Sequence, residues 1–395
     1  MSTKDVMKLY DEYVMQTYTR VPFVIAKAKG SIVEDAGGKK YLDFFPGWAV
    51  SGVGHCNDRV VKAICKQAQN LIHVSNNYYS ELQGTLAKKI IEHSFPGKVF
   101  FANSGAEANE GACKLARKYG HEKDRFEIIT MQNSFHGRTL AMIAATGQDK
   151  VKTGFKPLPR GFVHVPFGDI NALTQAISEK TIAIMLELIQ CEGGINIASR
   201  DYITKIRKIC NEKDIVLIFD EVQTGMGRTG AMFCYQNYGV EPDVMTLAKS
   251  LGGGVPIGAI VANSKFQNVL TPGTHASTFG GGPLVSAAAL GVFEAIEEGN
   301  LIINAVAQGE YLLKQLKVLK QKYSTLIKEI RAMALIIGVE LGIEGDGIYK
   351  KCMEEGLLIN CTQKNVLRIM PALTVTKKEI DKAIAILEKI FGAIL

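Results

Sequence analysis

The stretch KVFFANSGAEANEGACKLARKYG, residues 98–120, decides the fold. Its first six residues are an apolar run bounded by turn-forming residues, which reads as a strand. From Ala106 to Gly120, alanine, leucine, lysine and arginine recur at helical spacing. Between them stands Ser104-Gly105-Ala106-Glu107. The spacing of Ser104 and Glu107 predicts a capping box, and Gly105 leaves backbone amides free to face an anion at the helix N-terminus. A plainly capped helix and a phosphate site are both open readings here. The same texture recurs outward. EIITM (127–131), TIAIMLEL (181–188), IVLIFD (215–220), VMTLA (244–248) and IGAIVA (257–262) read as strands, and RDYITKIRKICNEKD (200–214) as an intervening helix. Such alternation predicts βαβ units: an α/β fold with a mostly parallel sheet flanked by helices, and ligands beyond the carboxyl ends of its strands.

Past residue 283 the texture shifts to longer helices. Pro283 opens one of them, 301–322 is amphipathic, and Thr376 with Glu379 forms a second capping-box signature. The first fifty-odd residues are strand-like around SIVEDAGGKKYLDF. A chain of 395 residues exceeds one comfortable core. We therefore expect a large α/β domain over 57–283 and a smaller α+β domain built from 1–56 and 284–395.

A hydrophobic content of 47% with 22% charged residues excludes a disordered, collagenous or coiled-coil chain. The net charge of +7 is scattered. The basic stretches at 150–156 and 314–322 are short and read as solvated faces, not as a nucleic-acid surface. Eight cysteines without a Cys-x-x-Cys pair argue against a disulfide framework or zinc site and for a reducing compartment. The histidines show no metal-ligand spacing either, so no metal is expected, and His136 reads as a packing or hydrogen-bonding residue. The opening MSTKDVMKLYDEY lacks an apolar leader core, and no apolar run approaches twenty residues. The expectation is a cytoplasmic protein with no membrane segment.

Two further residues carry chemistry. Asp220 ends an apolar strand and should stand at the carboxyl edge of the sheet, either facing the crevice or capping the next turn. Lys249 lies between VMTLA and Ser250-Leu-Gly-Gly-Gly254. It is either a snorkelling strand-end lysine or a desolvated amine able to form Schiff bases. With the helix start at 104–106, these two complete the requirements of pyridoxal phosphate: an amine for the aldehyde, an acid for the pyridine nitrogen, and a seat for the phosphate. Gly225-x-Gly227-x-x-Gly230 also matches a dinucleotide fingerprint, but it follows Glu-Val-Gln-Thr and no helix begins at its last glycine.

NSGAEANEGA (103–112), FHGRT (135–139), FDEVQTGMGRTG (219–230), TLAKSLGGGVPIGA (246–259) and THASTFGGGP (274–283) resemble the class III, fold-type I pyridoxal phosphate aminotransferases. The resemblance runs nearly end to end. SNNYYSELQ (75–83), TPGTHASTFGG (271–281) and NVLRIMPALTVT (365–376) are most similar to the branch acting on N2-acetylornithine. It implies that Lys249 binds the cofactor covalently and shuttles the proton, Asp220 salt-bridges the pyridine nitrogen, and Gln223 bonds the phenolic oxygen. Val222 and Phe135 would sandwich the ring, and Ser104, Gly105 and Ala106 would hold the phosphate. Thr278 would reach that phosphate from a neighbouring subunit, which makes the protein a homodimer with shared sites. Arg138, with Ser277 nearby, would hold a substrate carboxylate. Arg368 would grip the distal carboxylate of 2-oxoglutarate, and Glu192 would neutralise it otherwise.

The implied reaction moves the δ-amino group of N2-acetyl-L-ornithine to 2-oxoglutarate, in arginine biosynthesis. Ornithine, succinylornithine, 4-aminobutyrate and succinyldiaminopimelate are the alternatives within the class. Gly47 stands where ornithine enzymes resemble one another in having a tyrosine, which favours an acylated substrate. Trp48 reads equally as core, and Tyr78 and Tyr79 as pocket walls. Cys191 and Gly282 depart from the family's glycine and asparagine. Cys191 could narrow the space in which Glu192 moves. A non-catalytic relative is the reading from another class, and the intact Lys249, Asp220 and Gln223 argue against it.

Overall fold

The computed structural model describes residues 1–394. Its centre is a seven-stranded sheet of β1 (Gly97–Ala102), β2 (Glu127–Met131), β3 (Phe162–Val165), β4 (Thr181–Leu186), β5 (Val216–Asp220), β6 (Val244–Leu247) and β7 (Gly258–Asn263). The spatial order is β1-β7-β6-β5-β4-β2-β3. Strands β4 and β5 are buried along their whole length, as their unbroken apolar runs require in a sheet covered on both faces. The expected IGAIVA strand is present but reversed: β7 runs antiparallel to both β6 and β1, while every other neighbouring pair is parallel. Residues 248–257 are all that connect β6 to β7, fewer than the dozen or more a parallel crossover needs. Strand β3 has no counterpart in the sequence reading, because FVHV is short, half-buried and interrupted by His164.

Helix α1 (Gly105–Gly120) lays Ala108, Ala112, Cys113 and Ala116 against one face of the sheet, meeting Ile260, Met185 and Ile218. Gly111 permits this approach, since a Cβ there would come within 2.3 Å of Ile260 Cδ1. Helix α2 (Arg200–Lys213) covers the other face with Tyr202, Ile203, Ile206 and Cys210. Its start is capped by Ser199, whose hydroxyl accepts the Tyr202 N–H at 3.2 Å.

Besides a short pair, Ile189–Gln190 with Asn196–Ile197, the terminal segments build two four-stranded sheets. Strand Leu357–Leu358 adds in parallel to Lys40–Asp43, extending a sheet that begins with Ile25–Lys29 and Ile32–Asp35. An antiparallel sheet orders Ile327–Met333, Ile336–Leu341, Val366–Ile369 and Asn360–Thr362. The helix Pro283–Glu298 starts at Pro283, and Lys377–Gly392 carries the full Thr376–Glu379 capping box. No helix among the described residues is long and apolar enough to cross a membrane.

Candidate active site

The carboxyl ends of β1, β5 and β6 meet at one cavity of about 350 Å³. Asp220, the last residue of β5, forms part of its inner wall and is almost wholly buried. Three donors converge on its carboxylate: Asn109 Nδ2 and His136 Nδ1 on Oδ2, each at 2.8 Å, and the Val222 N–H on Oδ1 at 3.0 Å. Asn109 projects from α1 and is itself fixed, donating to the His136 carbonyl at 2.8 Å and accepting from the Thr246 hydroxyl at 2.6 Å. The carboxylate orientation is thus set by α1, by the loop after β2 and by β6 together. His136 Nε2 is buried and has no hydrogen-bond partner among the described residues.

Lys249 follows β6 after one residue and holds a left-handed backbone, φ 45°, a costly conformation for a residue with a Cβ. Its Nζ donates to Gln223 Oε1 at 2.6 Å. The side chain lines the cavity, and the protein around Nζ lowers its pKa from that of a free lysine by desolvation, against the partial opposition of Glu192, Cys191 and Asp220. Such an amine is more readily neutral, hence nucleophilic, than a surface lysine.

At the far side the cavity meets the first turn of α1. Ser104 caps the helix, accepting the Glu107 N–H at 3.2 Å. The predicted reciprocal bond is displaced by one residue. Glu107 Oε2 takes the backbone N–H of Asn103 at 2.8 Å and its side-chain amide at 2.9 Å. That oxygen is taken by both N–H donors of Asn103, so no full capping box forms. The N–H groups of Gly105 and Ala106 keep no intrahelical partner, as first-turn amides must, and both residues line the cavity. A Cβ on Gly105 would lie 2.8 Å from Val222 Cγ1, so glycine is what lets the turn and Val222 stand together. Phe135 also lines the space. A desolvated amine, an oriented carboxylate and an anion-receiving helix terminus therefore share one cavity, and this donor set fits pyridoxal phosphate.

Arg368 is carried on the buried strand Val366–Ile369 and has no solvent exposure. Its Nη1 donates to Glu192 Oε1 at 2.6 Å and to the Cys191 carbonyl at 3.1 Å, and Nε donates to Asn360 Oδ1 at 2.8 Å. Nη2 is buried without a hydrogen-bond partner among the described residues. The guanidinium sits 4.8 Å from the Phe45 ring and 5.4 Å from that of Trp48. Trp48 is 51% exposed, so it is a cover for Arg368 and not a core residue. The Glu192 backbone is pinned, its carbonyl accepting from Thr362 Oγ1 and Gln363 Nε2 at 2.8 Å each. The Cys191 thiol is fully buried, and that burial pushes its pKa up to about 12, which leaves it unreactive.

Some expected residues stand apart from this cavity within the chain. Arg138 is exposed, its guanidinium 5.3 Å from the Phe135 ring. Ser277 and Thr278 line a neighbouring depression of about 640 Å³ with Glu107, Lys114 and His275. There Ser277 Oγ accepts from Asn103 Nδ2 at 3.1 Å and from the Gly280 N–H at 3.0 Å. Tyr78 and Tyr79 are exposed and line neither space. Sequence reasoning missed Asn109, whose signal was a polar residue amid the alanines of an otherwise apolar helix face, and the contact of His136 with Asp220.

A seven-stranded sheet with a lysine, an aspartate and a helix start at its carboxyl edge is an architecture suited to a pyridoxal phosphate enzyme. The chain belongs to the class III aminotransferase family, "Aminotransferase class-III", whose profile matches residues 13–391. It is 51% identical over 397 residues to the acetylornithine aminotransferase of Methanocaldococcus jannaschii, covering 100% of both chains. It is equally 51% identical over 387 residues to that of Caldanaerobacter subterraneus subsp. tengcongensis, covering 97% of this chain and 98% of the relative. Among solved structures it resembles the ornithine aminotransferase of Toxoplasma gondii, with a TM-score of 0.96 at 33% identity, covering 100% of this chain and 96% of that one.

Proposed function

We propose that this chain is a pyridoxal phosphate aminotransferase that moves the δ-amino group of N2-acetyl-L-ornithine to 2-oxoglutarate, a step of arginine biosynthesis. The observation that carries the reading is the meeting of Lys249, Asp220 and the Gly105 turn in one cavity, with Arg368 and Glu192 paired beside it. The names of the curated relatives supply the substrate. Bound pyridoxal phosphate provides the electron sink that loosens bonds at the amine-bearing carbon.

The chain's own residues have distinct tasks. Asp220, oriented by Asn109 and His136, holds the pyridine nitrogen. Gln223 holds the phenolic oxygen, and the amides of Gly105 and Ala106, beside Ser104, receive the phosphate. Phe135 and Val222 confine the ring. Lys249 Nζ anchors the cofactor and carries the proton to and from the reacting carbon. Arg368 pairs with the distal carboxylate of 2-oxoglutarate, its buried Nη2 having no partner among the described residues, and Glu192 compensates its charge at other times. Arg138 holds the second carboxylate, with Ser277 near the acylated end.

Thr278 is exposed and away from its own cavity, which suits a residue that completes the phosphate seat of a partner subunit. We take the protein as a cytoplasmic homodimer, with 57–283 as the cofactor-binding domain and both termini as the smaller one. Free ornithine is the competing donor, favoured by the likeness to the Toxoplasma enzyme. At Gly47 the chain presents no side chain to meet ornithine's free α-amine, which favours the acylated donor. Comparing kcat/KM for the two donors decides. The proposal expects a clear preference for N2-acetylornithine, and a preference for free ornithine overturns it.

A further inference from the structure

A buried acid in the cavity wall has no part in the chemistry above. Glu187 directly follows β4, is 6% exposed, and lines the cavity with Asp220 and Lys249. Its Oε2 accepts the backbone N–H of Phe135 at 3.0 Å. Among the described residues, no lysine, arginine or histidine nitrogen lies within 4.0 Å of its carboxyl group. A carboxylate so placed gives up its hydration for a single neutral donor and has no cation to compensate it, so the group keeps its proton instead.

The groups around Glu187 reinforce this. Asp220 faces it from β5, Lys249 from the turn after β6, and Cys191 and Glu192 from the segment beyond β4. His136 adjoins Phe135, and Arg368 lies behind Cys191. Burial and the charge of Asp220 push Glu187 well above the usual carboxylate range. The Phe135 N–H and Lys249 offset part of that, and Glu192 pushes in the same direction as Asp220. Two ionised carboxylates in this space would oppose each other, and a second anion would hold Lys249 in its protonated, non-nucleophilic form.

We propose that Glu187 is a positioning residue working as an uncharged acid: its carboxyl group fixes the backbone of Phe135 at the cavity, and its neutrality leaves Asp220 unopposed in holding a cationic ring nitrogen. The cofactor part rests on the functional reading above; the neutral-acid part does not.

Glu187→Gln keeps an acceptor for the Phe135 N–H and has no proton to lose, whereas Glu187→Ala removes the acceptor. The first readout is the Tm of cofactor-free protein between pH 5 and pH 8. The folded wild type binds this proton more tightly than the unfolded chain does, so its stability falls as pH rises above the ordinary carboxylate range. The Gln variant escapes that fall. The expected result is a Tm advantage of Gln over wild type that widens with pH, reaching about 2 °C or more at pH 8. Parallel or converging curves overturn the neutral-acid assignment.

The second readout is the Kd for pyridoxal phosphate by equilibrium dialysis. Gln should stay within about threefold of wild type and Ala weaken by about tenfold or more, the loss of one buried hydrogen bond. A Gln variant as weak as Ala, or an Ala variant as tight as wild type, overturns the positioning role. If wild type itself takes up no pyridoxal phosphate, the functional reading and the positioning role toward the cofactor fail together. The Tm curves still decide the state of Glu187.

Discussion

Replacing Glu192 by Gln should make the enzyme bind 2-oxoglutarate better while making the protein less stable. Arg368 cannot take a substrate carboxylate at Nη1 without giving up Glu192 Oε1, 2.6 Å away. In Glu192→Gln the amide oxygen still accepts a hydrogen bond from the charged guanidinium, so what is lost is the ion-pair attraction, and the substitution lowers the cost of release by about 1–1.5 kcal/mol. At about 1.4 kcal/mol per decade that is a five- to tenfold effect. The Glu192 side chain is 21% exposed, and solvent screening places the expectation near the lower figure, about fivefold. The assay is single-turnover reaction of the amino form of the loaded enzyme with 2-oxoglutarate, read as KM. Meanwhile Arg368, fully buried, loses the only carboxylate partner it has among the described residues, so the Tm of the cofactor-free variant should fall. An unchanged or raised KM for 2-oxoglutarate alongside a lowered Tm would refute the idea that Glu192 competes for Arg368.

Three other outcomes follow from the same geometry. Gly105→Ala forces a Cβ to within 2.8 Å of Val222 Cγ1. Overpacking of about 1–3 kcal/mol is partly offset by up to about 1 kcal/mol of helix preference, so folding should suffer little. Dialysis should nevertheless show pyridoxal phosphate affinity falling by about tenfold or more through the crowded amides. If Thr278 serves the partner's cavity, mixing inactive Lys249→Ala with weakened Thr278→Val subunits should restore about a quarter of wild-type activity, from the one intact site of each hybrid dimer; a mixture no better than its components argues against sharing. Lys249→Met should raise the Tm of cofactor-free protein at neutral pH, because burial lowers the lysine pKa and the unfolded chain holds that proton more tightly. The gain should shrink as pH climbs toward the ordinary lysine value, and a Tm drop at pH 7 would contradict the desolvation argument.

Much of this site was legible because its signals are local. Asp220 ends a strand that is apolar throughout, Lys249 is flanked by a strand and three glycines, and Gly105 sits in a strand-to-helix turn. Pairings across distance were not legible from the residues alone. Asn109 meets Asp220 across 111 positions, and nothing in either segment announces the other. Glu192 meets Arg368 across 176 positions, and only family resemblance suggested it. Glu187 gave no signal of its own, because within TIAIMLEL it reads as one residue of a strand, whereas here it is a buried group facing a cavity. The reversal of β7 depends on the length of a connection, which periodicity does not register. The Glu107 bond slipped by one residue, to the backbone and side-chain N–H groups of Asn103, a choice made at the level of single oxygens.

The central claim is that Lys249, Asp220 and the Gly105 turn bind pyridoxal phosphate for transfer of an amine from N2-acetylornithine. The most direct test is the visible absorption of the purified, cofactor-loaded protein on adding N2-acetyl-L-ornithine without 2-oxoglutarate, followed by 2-oxoglutarate alone. The account predicts that the yellow band disappears with the donor and returns with the acceptor. A band that N2-acetylornithine leaves unchanged would contradict the substrate, and a protein that never becomes yellow would contradict the site.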